Sequence, residues 1–192
     1  MLKRLNHTIA SLSARTDDEL LKFIAGEPKE RETAFGELYR RYDRRIYAYI
    51  LRITGDSDQA KDLFQETFIR FYKQAESGKD ITSVIGMLIR IARNLCLNAK
   101  RDAKQHILLD ELTELGIEMP EHDSELIAII NTSLELLEPQ YREAIVLRLY
   151  QDLSYEEMAN ITGETIPTLK NRVWRGKEKL RNMLTPYLEE AK

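Results

Sequence analysis

Apolar residues recur at helical spacing through the first hundred residues of the chain. Thr16 and Glu19 have the spacing of a capping box, in which the two side chains bond to free amides at a helix start, and Gly26 ends the short helix that they begin. A longer helix is predicted from about residue 29 to Gly55. Its apolar stripe consists of Phe35, Leu38, Tyr42, Ile46, Tyr49 and Ile53, and its arginines, Arg40, Arg41, Arg44 and Arg45, should mostly face solvent.

Two further helices complete a predicted N-terminal domain. Residues 56–58 offer caps for a helix that ends near Ser77, and another helix is expected from about Thr82. The second of these should bury Val84, Leu88, Ile91 and Leu95, and it carries Arg90, Asn94, Asn98 and Arg101 along another face. Four helices with short connections can share one core. The expected fold class is therefore all-α, with a first small helical domain over residues 1–101.

An acidic segment separates this domain from a second group of predicted helices. Residues 102–125 carry eight anions and one cation, and Gly116 and Pro120 interrupt any long helix there. We expect a flexible linker over residues 102–123, either a solvated spacer or a segment that a partner orders. A second helical domain over residues 124–192 should follow. Its first two helices begin at Ser124 and Pro139, and the second of them carries Tyr141, Ala144, Ile145 and Leu149 on its apolar face.

The chain ends in a predicted helix-turn-helix whose second helix is strongly basic. Ser154 and Glu157 repeat the capping-box spacing, Gly163 supplies a left-handed helix end, and Pro167 fits a first helical turn. Residues 165–181 carry six cations and one anion, whereas the whole chain has a net charge of −3. Arginine and asparagine suit purine edges in the major groove, and lysine suits phosphates. The pattern therefore indicates a DNA-recognition helix; the alternative is an amphipathic helix whose charges only face solvent.

Composition narrows the class of protein. With 192 residues, 43% hydrophobic and 32% charged, the chain fits a soluble globular protein of one or two domains. Cys96 is the only cysteine, which excludes an internal disulfide and a cysteine metal cage, so it should be a packing residue. Neither a secretory signal nor a membrane-spanning run is recognisable, so we expect a cytoplasmic protein. His7, His106 and His122 lack metal-binding spacing, and a Gly-rich phosphate loop is missing, so neither an enzyme nor a bound cofactor is expected.

Three motifs in order resemble a bacterial sigma factor of the extracytoplasmic-function kind, within the sigma-70 family. They are Asp62 to Phe68 (DLFQETF), Leu88 to Asn94 (LIRIARN), and Leu153 to Ala159 (LSYEEMA) followed by residues 168–172 (TLKNR). The resemblance covers nearly the whole chain. It implies a subunit that binds core RNA polymerase, recognises the −35 and −10 elements of promoter DNA and assists strand opening, without catalysis of its own. It also implies an anti-sigma factor as a controlling partner.

The resemblance also assigns residues to three surfaces. Polymerase binding falls on the third helix, at Asp62, Leu63, Gln65, Glu66 and Phe68, where Leu63 and Phe68 contribute apolar contact or core. Recognition of the −10 element and melting fall on Glu76, Ser77, Lys79, Asp80, Asn94, Asn98 and Arg101, and the loop residues could hydrogen-bond a flipped base. The −35 element would be read by Thr168, Asn171, Arg172 and Arg175, with Lys170 and Lys179 on phosphates.

Three positions depart from the usual family pattern. Met87 stands where relatives usually have Trp, and Pro167 stands where they commonly have Gly. Trp174 replaces a smaller polar residue, and we expect it to pack at the helix edge rather than stack near DNA.

A helix-turn-helix regulator that acts as a dimer is the alternative function. It accounts for the last domain but not for the third helix. Such a dimer should protect two half-sites one helical turn apart, whereas a sigma factor should bind specific DNA poorly until core polymerase is present.

Overall fold

The computed structural model of the chain describes residues 12–102 and 121–190. The N-terminal group of helices comprises α1 (Asp17–Ala25), α2 (Pro28–Thr54), α3 (Ser57–Glu76) and α4 (Val84–Asp102). The C-terminal group comprises α5 (Glu121–Glu135), α6 (Pro139–Ile145), α7 (Tyr155–Thr162) and α8 (Ile166–Glu190). The described residues contain no β-strand, so the predicted all-α class is confirmed. Within the same residues, none of the helices is both long and apolar enough to cross a bilayer.

In the N-terminal group, capping hydrogen bonds and a left-handed glycine mark the predicted helix boundaries. Thr16 Oγ1 accepts a bond from the Glu19 amide at 3.3 Å, and the Glu19 carboxylate accepts one from the Thr16 amide at 2.8 Å. Asp56 caps α3 by accepting a bond from the Gln59 amide at 2.8 Å. Gly55 ends α2 with a φ of 73°, a left-handed conformation that favours glycine.

The core of the N-terminal group lies between α2, α3 and α4. Its fully buried side chains include Leu38, Ile46, Tyr49, Ile50, Phe71, Leu88 and Ile89. The predicted apolar stripe of α4 is confirmed, because Val84, Leu88, Ile91 and Leu95 are all buried. A set of packed aromatic rings joins α2 to α3, with centroids 4.7 to 6.4 Å apart, and consists of Phe35, Tyr39, Phe64, Phe68 and Tyr72. These rings therefore belong to the core of the N-terminal group and its rim.

Two arginines of α2 join helices together instead of facing solvent. Arg41 donates hydrogen bonds to Glu37 at 2.9 Å and to Asp17 of α1 at 2.8 Å. Arg45 bonds to the side chain and the carbonyl oxygen of Gln151, in the C-terminal group. The prediction that the arginines of this helix mostly face solvent is wrong for these two. Asp17 and Gln151 lie outside α2, and the periodicity of a single helix carries no information about such partners.

The helix α6 continues into a wider turn that shifts the phase of its apolar face. Residues Val146–Tyr150 form a π-helical turn, whose hydrogen bonds reach one residue further along the chain than those of an α-helix. Val146 and Leu147 are buried, and Leu149 is 49% exposed. The prediction that Leu149 faces the core is wrong because it assumed a regular 3.6-residue repeat.

The C-terminal group begins earlier than predicted and packs against the N-terminal group. Its first helix starts at Glu121 rather than at Ser124, so residues 121–123 of the predicted linker are helical. The rest of that linker, apart from Asp102, lies outside the described residues. In the packed arrangement α7 lies against α4, and α6 lies against α2. The two groups therefore share one contact surface.

Candidate nucleic-acid interface

The last two helices form the predicted helix-turn-helix. Ser154 Oγ accepts a bond from the Glu157 amide at 3.1 Å, and the Glu157 carboxylate accepts one from the Ser154 amide at 2.8 Å. Gly163 ends α7 with a φ of 76°. At the start of α8, Thr165 Oγ1 accepts a bond from the Thr168 amide at 3.3 Å. These local bonds fix where each helix begins, and hence which residues of α8 face outward.

Four predicted DNA-reading residues of α8 line one groove, which α8 forms together with the start of α6. The groove has a volume of about 470 Å³ and is lined by Gln140, Tyr141, Pro167, Thr168, Asn171, Arg172 and Arg175. On the opposite face of the helix, Leu169 and Val173 are buried. The amide and guanidinium groups are thus gathered on one accessible surface, and they are the donors that suit purine edges. Lys170 is exposed and does not line the groove, and its ammonium group lies 5.7 Å from the centre of the Tyr155 ring on α7.

Two cations of this surface are held by carboxylates of the same chain. Arg172 donates a hydrogen bond to Glu164 at 2.8 Å. Lys179 donates one to Glu138 at 2.9 Å, and this bond holds the pKa of Glu138 below its ordinary value. DNA must therefore compete with Glu164 for Arg172 and with Glu138 for Lys179. Asn171 and Arg175 are exposed and need not be released from a partner carboxylate first.

The side chain of Trp174 lies mostly in solvent. It is 63% exposed, so the prediction that Trp174 packs at the helix edge is wrong. Val173, one residue earlier, and Gly176, two residues later, occupy the buried face of α8. Trp174 therefore lies on the solvent side, next to Asn171 one helical turn away.

The loop between α3 and α4 contains the predicted melting residues. Gly78 has a φ of 68°, and Ser77 Oγ donates a hydrogen bond to the Gln74 carbonyl at 2.7 Å, so α3 ends there. Glu76 forms an ion pair with Arg31 of α2. These contacts anchor the N-terminal end of the loop, and the exposed Lys79 and Asp80 follow it.

Two cavities border this loop, one on each side. A cavity of about 480 Å³ separates it from α1 and is lined by Asp18, Lys22, Lys79, Asp80 and other residues. A second cavity, of about 320 Å³, lies between the loop, the start of α4 and α7. Asp80 lines both. Such a loop offers hydrogen-bonding groups next to a recess, as a flipped base requires.

The α4 residues of the predicted −10 surface lie beyond this loop. Asn94 and Asn98 are exposed on α4, and the side chain of Arg101 lies outside the described part of the chain. Sequence reasoning missed Ser83, whose Oγ accepts a hydrogen bond from the Gly86 amide at 3.1 Å and so begins α4. Met87 lines the second cavity.

The predicted polymerase-binding residues all lie on α3, and three of them, Asp62, Gln65 and Glu66, share one side of it by their spacing. Asp62 and Gln65 are exposed, and Glu66 is half-buried and ion-paired with Arg70 at 2.6 Å. Leu63 is half-buried, and Phe68 is 3% exposed, so Phe68 supports this surface from within. Beside them lies an apolar groove of about 740 Å³, lined by Glu32, Phe35, Tyr39, Lys61, Phe64, Gln65, Phe68, Ile69, Tyr72 and Lys73.

Sequence reasoning missed the exposed apolar part of this groove. Ile69 is 41% exposed and Tyr39 is 38% exposed. A signal for Ile69 was present, because it lies seven residues after Asp62 and hence on the same side of the helix. No comparable signal marked Tyr39, whose position depends on how α2 packs on α3.

Comparison with protein families matches both helical groups. Residues 38–106 match the family Sigma-70 region 2, and residues 127–180 match the family Sigma-70, region 4. The two matches fall on the N-terminal and C-terminal groups, in the order that the motifs predicted.

Comparisons with single proteins agree. The chain is 33% identical over 166 residues to the ECF RNA polymerase sigma factor SigE of Mycolicibacterium smegmatis, covering 82% of this chain and 64% of that protein. It is 30% identical over 179 residues to the ECF RNA polymerase sigma factor SigW of Bacillus subtilis, covering 85% of this chain and 95% of that protein. The sigma factor RpoE of Bartonella quintana, solved with the anti-sigma factor NepR, has the same fold, with a TM-score of 0.66, 24% identity, and coverage of 79% and 96% of the two chains. The chain therefore belongs to the extracytoplasmic-function RNA polymerase sigma factors of the sigma-70 family, which are transcription initiation factors.

Proposed function

We propose that three surfaces of this sigma factor divide the work of promoter-specific initiation. The α3 side binds core RNA polymerase, the loop with α4 recognises and opens the −10 element, and α8 reads the −35 element. On this proposal the N-terminal and C-terminal groups act as separate domains, and the segment between them connects the two. The protein works in the cytoplasm, where polymerase and promoters are.

The observation that carries the proposal is the groove on α8. Thr168, Asn171, Arg172 and Arg175 come from two turns of one helix, and all four line it. The groove lies on the second helix of a helix-turn-helix, the element that enters the major groove in proteins of this architecture. Lys170 and Lys179 lie on the same helix, and lysine is a residue type that suits phosphate contacts, which supports their proposed role.

The α3 side has the composition of a protein interface. Exposed apolar groups, Ile69 and Tyr39, lie at its centre, and Asp62, Gln65 and Glu66 stand beside them. An apolar centre with a polar rim is typical of stable protein contacts. The acidic and amide groups favour a basic partner surface, which supports docking of core polymerase here.

An anti-sigma factor is the proposed regulator. The structural relative RpoE of Bartonella quintana was solved in complex with one. A partner that covers the α3 side or the α8 groove would block polymerase or promoter binding directly. Co-purification of this chain from its host, followed by identification of the bound protein, tests that part of the proposal.

Run-off transcription with purified core polymerase and a promoter library tests the main proposal. The full chain should give discrete transcripts that core polymerase alone does not give. Adding Arg175→Ala should reduce transcripts from promoters that depend on a −35 element, because the exposed guanidinium lines the groove. Transcription no better than that of core polymerase alone, on every template, would exclude a sigma-factor function. A footprint of two half-sites without polymerase would favour a dimeric regulator instead.

A further inference from the structure

A recess lies between α1 and the loop that joins α3 to α4. We call it the α1 recess; its charged lining residues are Asp18 and Lys22 of α1 and Lys79 and Asp80 of the loop. All of its lining residues belong to the N-terminal group, so the recess is complete within that group. Its volume of about 480 Å³ is within the range of pockets that hold small molecules, about 300–1,000 Å³.

The bottom of the α1 recess is apolar. Ile81 and Ala75 line it and are only 6% and 3% exposed, and Leu21 of α1 lines it and is half-buried. The four charged side chains, by contrast, are all exposed. The face of an aromatic ring can rest on such an apolar surface while its edge bonds to the charged groups. The recess therefore offers what an unpaired nucleobase requires.

The charged side chains of the α1 recess favour a base over a phosphate. Each wall carries one ammonium group and one carboxylate, so the four groups together have no net charge. A backbone phosphate is negatively charged and offers only acceptors, so Asp18 and Asp80 would repel it. The edge of a base carries both donors and acceptors, which suit carboxylates and ammonium groups respectively. Within the described part of the chain, none of the four side chains has a hydrogen-bond or ion-pair partner that a base would have to displace.

One arginine ties together the two walls of the α1 recess. Arg31 of α2 donates a hydrogen bond to the Gly26 carbonyl, at the end of α1, at 2.8 Å. The same guanidinium forms an ion pair with Glu76, at the end of α3, and only 21% of the Arg31 side chain is exposed. Gly78, with a φ of 68°, then turns the chain into the loop. Arg31 therefore fixes how far the start of the loop lies from α1.

We propose that the α1 recess binds one unpaired base of the −10 element, and that Asp18 and Lys22 of α1 bond to the edge of that base together with Lys79 and Asp80. This inference rests on the proposed function of the loop in opening the −10 element. It adds α1 to the DNA-binding surface. The helix α1 lies outside the residues that match the Sigma-70 region 2 family, so that match assigns it no contact with DNA.

Abasic DNA tests the proposal. Run-off transcription with the wild-type chain and core polymerase first identifies a promoter. Fork-junction probes of this promoter are then made with the non-template strand unpaired over the −10 element, and each −10 nucleotide is replaced in turn by an abasic one. Competition binding of the holoenzyme gives an abasic profile, which is the loss of affinity at each position. Removal of the base that occupies the recess should weaken binding by the wild-type holoenzyme about fivefold or more.

Asp18→Asn combined with Lys22→Ala should change the abasic profile at that position alone. The double variant should bind the intact probe at least about threefold more weakly than the wild-type chain does, because hydrogen bonds to the base are lost. It should bind the abasic probe for that position about as well as wild type, because the partner of those bonds is already missing. If the double variant weakened binding to every probe by the same factor, α1 would contact the backbone, and the proposal would be wrong. Binding of all probes at wild-type affinity would also overturn it.

Asp58→Asn combined with Arg44→Ala is the matched control. Asp58 lies in the first turn of α3 as Asp18 lies in the first turn of α1, so both asparagine substitutions remove the same interaction with a helix start. Arg44 is an exposed cation of α2, and neither control residue lines the recess. The control should keep the wild-type abasic profile. Thermal unfolding followed by circular dichroism should show similar stability for the two double variants.

On this proposal Arg31 and Glu76 are positioning residues, which set the width of the recess without touching the base. Arg31→Ala and Glu76→Ala should each reduce the abasic effect at the same position. The chain that carries both substitutions should reduce it no further, since the two side chains act as one unit. Additive effects would mean that Glu76 bonds to DNA itself, and would overturn the positioning role.

Failure of this inference is distinguishable from failure of the proposed function. Absence of run-off transcripts with the wild-type chain would refute the proposed function, and this inference with it. Transcripts from the wild-type chain, together with a wild-type abasic profile for the Asp18 and Lys22 double variant, would refute only the role of α1.

Discussion

Gly176 of α8 lies so close to Ile145 of α6 that a Cβ atom on residue 176 would stand 2.7 Å from the Ile145 Cγ1 atom. This close approach brings the recognition helix onto its supporting helix. The carbonyl oxygen of Tyr141 would also lie 3.4 Å from such a Cβ, so backbone as well as side chain limits the space. The position of the α8 groove therefore depends on the absence of a side chain at residue 176.

Gly176→Ala should destabilise the protein by about 1–3 kcal/mol, because an added methyl group in a packed contact forces neighbours to move. Chemical denaturation followed by circular dichroism measures the loss. Gly36→Ala is the matched control, because nothing lies within 4 Å of a Cβ at that position of α2. It should stabilise the protein by about 0.5–1 kcal/mol through the better helix propensity of alanine. Equal effects of the two substitutions would contradict the close contact at Gly176.

The sequence predicts contacts between residues that are close along the chain, but not contacts between residues of different helices. Capping boxes at Thr16 and Ser154 were predictable because both partners of each bond lie three residues apart. The role of Gly176 was not predictable, since it depends on which residue of another helix crosses it. The same limit explains the contacts of Arg41 with Asp17 and of Arg45 with Gln151, because these partners are distant in sequence.

Some features of the candidate site were likewise predictable from the sequence, and others required the folded structure. Thr168, Asn171, Arg172 and Arg175 could be grouped from motif and helical phase because they lie on one helix, whereas the part of Gln140 and Tyr141 in the same groove depends on how α6 packs on α8. The intramolecular partner of Arg172, at Glu164, and the exposed groove around Ile69 required the folded arrangement. Leu149 was misplaced because a single π-helical turn is invisible to a regular repeat.

Arg172→Ala should weaken promoter binding by about 1–3 kcal/mol if the guanidinium reads a base with two hydrogen bonds. Glu164→Gln should act in the opposite direction by about 0.2–1 kcal/mol, because it frees Arg172 from its partner at 2.8 Å. Competition binding of the reconstituted holoenzyme to promoters with intact and scrambled −35 elements measures both effects.

Lys177→Ala is the control for this pair of variants. It removes an exposed cation of the same helix that does not line the groove. Binding to intact and scrambled −35 elements should fall equally. If Arg172→Ala also lowered binding to intact and scrambled −35 elements by the same factor, Arg172 would contact phosphate rather than a base.

Gln65→Ala combined with Glu66→Ala should reduce binding to core polymerase and leave the fold intact, because neither side chain is fully buried. Co-purification with core polymerase and thermal unfolding measure the two properties separately. Glu30→Ala, which removes an exposed carboxylate from α2, should change neither. If the double variant bound core polymerase as well as the wild-type chain does, this side of α3 would not be part of the polymerase interface.

Protonation of the Glu37 carboxylate should make the protein less stable in acid. Burial alone would raise the pKa of Glu37, but hydrogen bonds from Arg40 and Arg41 outweigh burial and hold the pKa below its ordinary value of 4.5. The unfolded chain therefore takes up a proton at higher pH than the folded chain does. The stabilisation by Glu37 is complete above its ordinary pKa and is lost as pH falls through the lower, folded pKa.

Glu37→Gln should therefore lower the free energy of unfolding near neutral pH by about 1–3 kcal/mol and make it less dependent on pH below about 4.5. Denaturation curves at a series of pH values measure both. Glu30→Gln, an exposed position of the same helix, should preserve the acid dependence. A Glu37→Gln protein with the wild-type slope in acid would contradict the assignment.

Trp174→Ala should leave the stability of the protein within about 0.5 kcal/mol of wild type, because the side chain is 63% exposed. A packed tryptophan would lose about 3–5 kcal/mol on the same change, as Phe71→Ala should, since Phe71 is fully buried. Denaturation followed by circular dichroism compares the two. If Trp174→Ala is stable and the holoenzyme nevertheless binds promoters more weakly, the exposed ring contacts DNA beside Asn171. A loss of stability close to that of Phe71→Ala would instead mean that the ring packs against the protein.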